Sequence, residues 1–196
     1  MSDPTAEKIL QAAKDAFYAQ GYRVSMVDIA KRAGVAKQTL YNHFDNKEAL
    51  FAVVMQGCKA EASAILQNQT LSIEEKILQF AYALRHVAMT PSGIAGYRAM
   101  TAEAHHFPAI AASFYQHGVG VLHQQLASVL GQAHQQGLLC CESPALAADM
   151  LFSMLTGFER SRLLLGVAEA DDGESSRVAP IVHAFLKAFA PEPHSF

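Results

Sequence analysis

The sequence predicts an all-α protein, with a small N-terminal head of three helices followed by a larger helical body. Three observations carry this reading. Apolar residues recur at helical spacing in one segment after another, Ser, Asp and Pro open those segments while Gly closes them, and no alternating run rich in β-branched residues offers a strand. Of the 196 residues 51% are hydrophobic and only 17% are charged, which is ample for a buried core and excludes intrinsic disorder.

The elements follow in order. Asp3-Pro4 is a cap followed by a proline where no N–H donor is needed, and Ile9, Leu10, Ala13, Ala16 and Phe17 then form one apolar face. Gly21 closes this first helix. Ser25-Met26-Val27-Asp28 is a capping box that starts a short second helix through about Ala33, and Gly34 breaks it. A third helix runs from about Lys37 to Phe44, and Asp45-Asn46 caps a fourth that reaches about Gln67. Ser72-Ile73-Glu74-Glu75 opens the next, which stops at Thr90-Pro91-Ser92-Gly93, and another covers about Ile94 to His105. Phe107-Pro108 begins a long helical stretch to Gln136, with Gly118 and Gly120 as weak points and Gly137 as its cap. Ser143-Pro144 repeats the cap-plus-proline device ahead of an apolar helix to Leu165, closed by Gly166. After an acidic turn around Asp171-Asp172-Gly173-Glu174, a last helix runs from about Ser176 to Phe189, with Pro180 near its first turn.

Net charge is −3, which argues against a generic polyanion binder, but the average hides an asymmetry. Residues 1–60 hold eight bases and six acids, whereas residues 61–196 hold seven bases and twelve acids. A basic head on an acidic body is the distribution expected when only the head meets phosphate.

The second and third helices, joined by Gly34-Val35-Ala36, have the helix-turn-helix form, with Ile29, Ala30, Gly34, Val35, Leu40 and Phe44 as its core. On a wheel with Lys37 at zero, Leu40 and Phe44 fall near about 300° and 340°, the buried side. Gln38, Asn42 and Thr39 fall at about 100°, 140° and 200°. That outward strip offers two amides and a hydroxyl. Amides can exchange hydrogen bonds with adenine N6 and N7, and Thr offers a hydroxyl or a methyl. Lys37, Tyr41 and His43 flank the strip at positions suited to phosphate, and Lys47 lies in the first turn of the fourth helix, where free N–H groups also favour it. The competing reading, from these residues alone, is an ordinary helical hairpin with a solvated polar face.

The run Ile9-Leu10-Gln11-Ala12-Ala13, Phe17, Gly21-Tyr22, Ser25-Met26-Val27-Asp28-Ile29-Ala30, Ala33-Gly34-Val35, Thr39-Leu40-Tyr41-Asn42-His43-Phe44 and Lys47-Glu48-Ala49-Leu50 resembles the N-terminal domain of the TetR/AcrR transcriptional regulators. The resemblance is continuous over about residues 5–55. Phe107-Pro108 with its long helix, and Ser143-Pro144-Ala145-Leu146-Ala147-Ala148, are loosely similar to the AefR-like C-terminal branch. What the resemblance implies is a homodimer whose two heads (residues 1–50) bind successive major grooves of a palindromic double-stranded operator. It further implies that a body (residues 51–196) holds a small-molecule pocket and the dimer interface. Carried over, the recognition helix is Lys37 to His43, so the outward Gln38, Thr39 and Asn42 of the wheel are the residues expected to read bases. Tyr41 and Lys47 would then contact phosphate, and Ser25 would place backbone N–H groups against it. Two departures stand out. Ala36 replaces the Ser or Thr that caps the recognition helix in many members, a loss of about 1 kcal/mol, and Gln38 stands where many have Gly.

In the body, Leu84, Tyr97, Met100 and Phe114 supply apolar pocket material, together with Phe80, Val87, Met89 and Leu122. His86, Arg98 and His123, with Arg85 and Glu103, are polar groups able to orient a ligand, so the expected effector is apolar or aromatic with a polar handle. Leu151, Phe152, Leu155 and Phe158 (with Ala148) and Ile181 and Phe185 (with Phe189) form two stripes, expected to meet their copies in a four-helix dimer interface.

Cys58, Cys140 and Cys141 have neither disulfide nor zinc spacing and read as small apolar fillers, although a redox role for Cys140 or Cys141 stays open. Eight of the nine histidines lie beyond residue 80, but no His-Glu-x-x-His or Cys-x-x-Cys spacing exists, so no metal and no cofactor is expected. Without a nucleophile elbow, a phosphate-cradling glycine loop or inward carboxylate–histidine pairs, enzymatic function is rejected. The N-terminus lacks a basic and then apolar leader, and no uninterrupted apolar stretch reaches about 18 residues, so a cytoplasmic protein without a membrane partner is expected. The reading is a sequence-specific repressor released by a small molecule. An activator or corepressor-dependent regulator, and a helical dimer that binds a metal or small molecule without reading an operator, remain as alternatives.

Overall fold

A computed structural model describes residues 3–168 and 175–191. All regular structure among the described residues is helical, as the periodicity predicts. The helices are α1 (Pro4–Gln20), α2 (Met26–Ala33), α3 (Lys37–His43), α4 (Lys47–Gln67), α5 (Ile73–Ala88), α6 (Pro91–Glu103), α7 (Pro108–His117), α8 (Val119–Gln135), α9 (Pro144–Leu165) and α10 (Val178–Ala188), with short 3-10 turns at Gly21–Arg23 and Ser175–Arg177. The caps act through their side chains. Asp3 accepts from the Thr5 N–H at 2.8 Å, Asn46 from that of Ala49 at 2.8 Å, and Ser72 with Glu75 completes a reciprocal box.

The structure departs from the expected elements at several points. Pro91, expected as a stop, is the first residue of α6, because proline costs nothing where the N–H has no helical partner. The long stretch after Pro108 is two helices. At Gly118 a Cβ would lie 2.6 Å from the Phe114 carbonyl oxygen, a contact only glycine avoids. Ser143 precedes α9 but makes no side-chain cap bond, leaving Pro144 to start the helix alone. α9 itself is broken by non-helical dihedrals at Gly157. The acidic turn at residues 171–174 lies outside the described residues.

Packing divides the chain into two compact units, Met1–Cys58 with Ser92–Gly118, and Lys59–Pro91 with Val119–Phe196. In the first, Ile9, Phe17, Tyr22, Ile29, Leu40, Leu50 and Phe51 are buried together with Met100 and Ile110. By compactness, therefore, α6 and α7 group with the three N-terminal helices rather than with the rest of the body. Phe17 and Tyr22 each set an edge against Phe51, at centroid distances of 5.1 and 5.5 Å. In the second, Ile77, Phe80, Leu126, Leu130, Leu151, Leu155 and Phe185 form the core.

The sequence reading missed one feature of α4, which is long and apolar enough to cross a membrane by length and composition. Its apolar side chains have a use within the chain. Leu50, Phe51, Val54 and Met55 are buried in the first core, Ala62 and Leu66 in the second.

Candidate nucleic-acid interface

The turn between α2 and α3 is built by its residues. Gly34 takes the left-handed conformation (φ 68°, ψ 30°), closed to side chains with a Cβ at ordinary cost. Its N–H donates to the Lys31 carbonyl at 3.2 Å and that of Val35 to Ala30 at 3.1 Å, the paired bonds that terminate a helix and redirect the chain. Ser25 starts α2. Its hydroxyl accepts from the Asp28 N–H at 3.1 Å and donates to the Asp28 carboxylate at 2.6 Å, which holds that carboxyl below its usual range. Ala36 offers no side-chain cap, so α3 is held by packing. Ile29, Ala30 and Leu40 are buried, and Val35 and Phe44 pack half-buried against the same cluster.

Burial of Leu40 turns the opposite side of α3 outward. Gln38 and Asn42 are exposed, and the Gln38 Nε2 donates to the Asn42 Oδ1 at 3.1 Å. The two amides thus stand as one paired unit, each with hydrogen-bonding capacity to spare. Thr39 is half-buried beside them, and Tyr41 is exposed, with the Lys37 ammonium 5.7 Å from its ring centroid. His43 is exposed too, its Nδ1 3.6 Å from the Asp3 carboxylate.

Lys47 is more committed than a free phosphate contact. Its Nζ donates to the carbonyls of Tyr22 at 2.8 Å and Val24 at 3.3 Å and lies 4.2 Å from the Tyr22 ring centroid. Burial pulls this ammonium below its ordinary pKa, with Glu48 pushing the other way. Two of its three donors tie the 3-10 turn to α4, and one remains. Lys47→Met is therefore expected to cost about 1–2 kcal/mol of stability in urea titration, because hydrogen bonds to a charged group are lost. Unchanged stability would show that these carbonyls find other donors.

The residues expected around an effector do not converge on one open pocket. In the first unit Met100 and Phe114, with Phe17, Tyr18, Tyr22, Phe51 and Met55, line a cavity of about 10 Å³. Tyr97 stacks edge-on to Phe114 at 6.3 Å, and Arg98 is exposed. A cleft of about 290 Å³ along α1 and α4 is lined by Leu10, Lys14, Val53 and Cys58, and by none of the expected residues. In the second unit Leu84 is core and His86 is exposed, while His123 Nε2 lies 2.9 Å from the Asp149 carboxylate. The polar handles are largely spent on partners. Glu103 pairs with Arg23 at 2.8 Å, and Arg85 is fully buried against Glu159.

The apolar stripes also need correction. Leu151, Leu155 and Phe185 are 0–1% exposed and belong to the intrachain core, and Phe152 and Ile181 are half-buried against it. Of those six only Phe158 is exposed, at 82%, with the Arg162 guanidinium 5.9 Å from its ring centroid. Helix α9 has a second apolar face beside the stripe expected from the sequence. Leu146, Met150, Met154 and Phe158 are all exposed at a spacing of four. Among the cysteines Cys141 is buried, its thiol pushed up by burial, whereas Cys140 is exposed rather than a filler and Cys58 is intermediate. Among the described residues no group of three or more His, Cys, Asp or Glu is placed to hold a metal ion.

Comparison with known proteins agrees with this architecture. Residues 9–54 match the N-terminal domain profile of the bacterial regulatory proteins of the tetR family, and residues 75–191 match the C-terminal domain of AefR-like transcriptional repressors. A TetR-family regulator from Mesorhizobium loti shares 29% identity, with a TM-score of 0.75 over 95% of this chain and 96% of that one. The flavonoid-responsive regulator FrrA shares 28%, with a TM-score of 0.67 over 96% and 98%. The A-factor receptor protein of Streptomyces griseus is 35% identical over 91 residues, 45% of this chain but only 33% of the receptor. With two successive domain profiles accounting for most of its length, the chain belongs to the TetR family of transcriptional regulators.

Proposed function

We propose that this protein is a repressor that binds a palindromic operator as a homodimer and is released by a small-molecule effector. The observation that carries operator reading is the paired, exposed Gln38 and Asn42 on α3, opposite the buried Leu40. In this reading residues 1–50 read DNA and the rest senses and dimerises. Gln38, Asn42 and Thr39 contact base edges. Lys37, Tyr41, His43, the first turn of α2 behind Ser25 and the remaining donor of Lys47 contact phosphate.

Release by an apolar or aromatic effector draws support from two relatives whose names denote a receptor and a flavonoid response. The aromatic-lined cavity holding Met100 and Phe114 has the right chemistry, but at about 10 Å³ it is one water's worth of space. Effector entry there requires Met55 and Met100, flexible side chains, to move. Operator and effector then oppose each other by linkage, each weakening the other's binding by the same factor.

The test is selection of bound fragments from random duplex DNA, then anisotropy titration of the winner across salt concentrations. A palindrome with half-sites about one helical turn apart supports the reading. Weak binding without enrichment removes it in favour of a corepressor-dependent regulator. Gln38→Ala and Asn42→Ala are each expected to cost about 1–3 kcal/mol on the operator and little on random DNA. Lys47→Met is expected to flatten the salt slope by about one unit, and an unchanged slope takes Lys47 out of the phosphate set.

Self-association is assigned to the exposed face of α9. Phe158→Asp puts a charge at the end of that face and is expected to turn a dimer into a monomer in sedimentation velocity while the chain stays folded, since Phe158 is 82% exposed in the single chain. An intact dimer would place the interface elsewhere.

A further inference from the structure

α9 changes direction at Gly157, and the bend falls between Met154 and Phe158 of its exposed apolar face. Four residues apart on a straight helix leave each side chain about 40° round from the last, so a stripe at that spacing winds off one face within a few steps. Where the helix path breaks decides where the last member of the stripe, Phe158, projects.

Three features meet at the bend. The Thr156 Oγ1 donates to the Phe152 carbonyl at 2.8 Å, a back-bond that bends helices. Gly157 takes φ −12° and ψ −106°, and lacks a side chain that would favour the regular helix. Arg85, from α5, supplies the third. Its Nη1 donates to the Leu155 carbonyl at 2.6 Å and to Glu159 Oε2 at 3.0 Å, while Nη2 donates to Glu159 Oε1 at 3.0 Å. Leu155 lies two residues before Gly157 and Glu159 two residues after, so one guanidinium grips both sides of the break. Arg177, at the start of α10, adds its Nε at 3.6 Å from Glu159 Oε2. Arg85 is 1% exposed, and a buried ion pair is a poor way to gain stability when an apolar side chain would fill the same core. Such a pair is better suited to defining one geometry.

We infer that Arg85 is a positioning residue, which by clamping Leu155 and Glu159 across Gly157 directs Phe158 into the self-association face of α9. The inference rests on α9 being the homodimer face. The clamp joins the core helix α5 to that face, so a shift of Arg85 redirects the interface without touching it.

The experiment is sedimentation velocity over a dilution series on the full chain, wild type beside Gly157→Ala and Glu159→Gln, with thermal melts of each. A Cβ at residue 157 meets nothing within 4 Å, so alanine has room there, but its backbone preferences oppose the bend and favour a straight helix. Gly157→Ala is expected to weaken dimerisation at least tenfold while, at dilutions where both proteins are monomeric, it melts no lower than wild type, a split that a purely structural role would not produce. Glu159→Gln keeps one acceptor but loses the two-pronged charged pair, and is expected to weaken the dimer several-fold. Should Gly157→Ala fail to fold, Glu159→Gln decides alone. A dimeric wild type with equally dimeric variants overturns the clamp. A wild type that is monomeric at every concentration overturns the homodimer reading, and the clamp with it.

Discussion

Arg85→Ala is expected to lower the unfolding free energy by about 3–5 kcal/mol, because it removes one partner of a buried pair and leaves the other behind. Glu159 is 19% exposed, so its carboxylate would keep Arg177, at 3.6 Å, but lose the two-pronged pairing with the buried guanidinium. The Leu155 carbonyl, within a fully buried residue, would lose the donor now 2.6 Å away. The space left by the guanidinium and its stem adds a cavity cost. Urea unfolding followed by circular dichroism measures the sum. The double variant Arg85→Met with Glu159→Leu is the informative control, since removing both charges and keeping the volume is expected to recover most of the loss. A single variant that loses under about 1 kcal/mol would mean that water or Arg177 satisfies Glu159.

Leu40→Ala is expected to cost about 2–5 kcal/mol in the N-terminal unit and to abolish measurable operator binding. Leu40 is completely buried and is the residue that anchors α3, a seven-residue helix with no side-chain cap at Ala36. So short a helix has little stability of its own and takes its order from packing. Hydrogen exchange is the direct measurement, with α3 amides expected to lose protection before those of α1. Ala36→Ser in the Leu40→Ala background is expected to return about 1 kcal/mol by satisfying a first-turn N–H. Full protection of α3 in Leu40→Ala would show that Phe44 alone holds the helix.

Most of the helices and the outward strip of α3 are legible in the sequence, because both are local properties. A cap, a following proline or a left-handed glycine acts within one turn, and the sides of Leu40 and of Gln38 and Asn42 follow from about 100° per residue. Period also shows one apolar stripe on α9, from Ala148 to Phe158, but not that Leu151 and Leu155 are spent on the chain's own core while Leu146, Met150 and Met154 are left exposed. What packs against each side chain decides that. The same holds for Arg85 and Glu159, 74 residues apart, read as a loose polar handle and not singled out at all. The sequence places Lys47 as a phosphate contact but does not show that its ammonium is held by the carbonyls of Tyr22 and Val24, more than twenty residues earlier. The bend at Gly157 is likewise out of reach of the sequence, because Arg85, which holds Leu155 and Glu159 on either side of it, lies some seventy residues earlier. Long-range burial and pairing decided these points, because the free energy of a buried group depends on the partner it finds, and that partner is set by the fold.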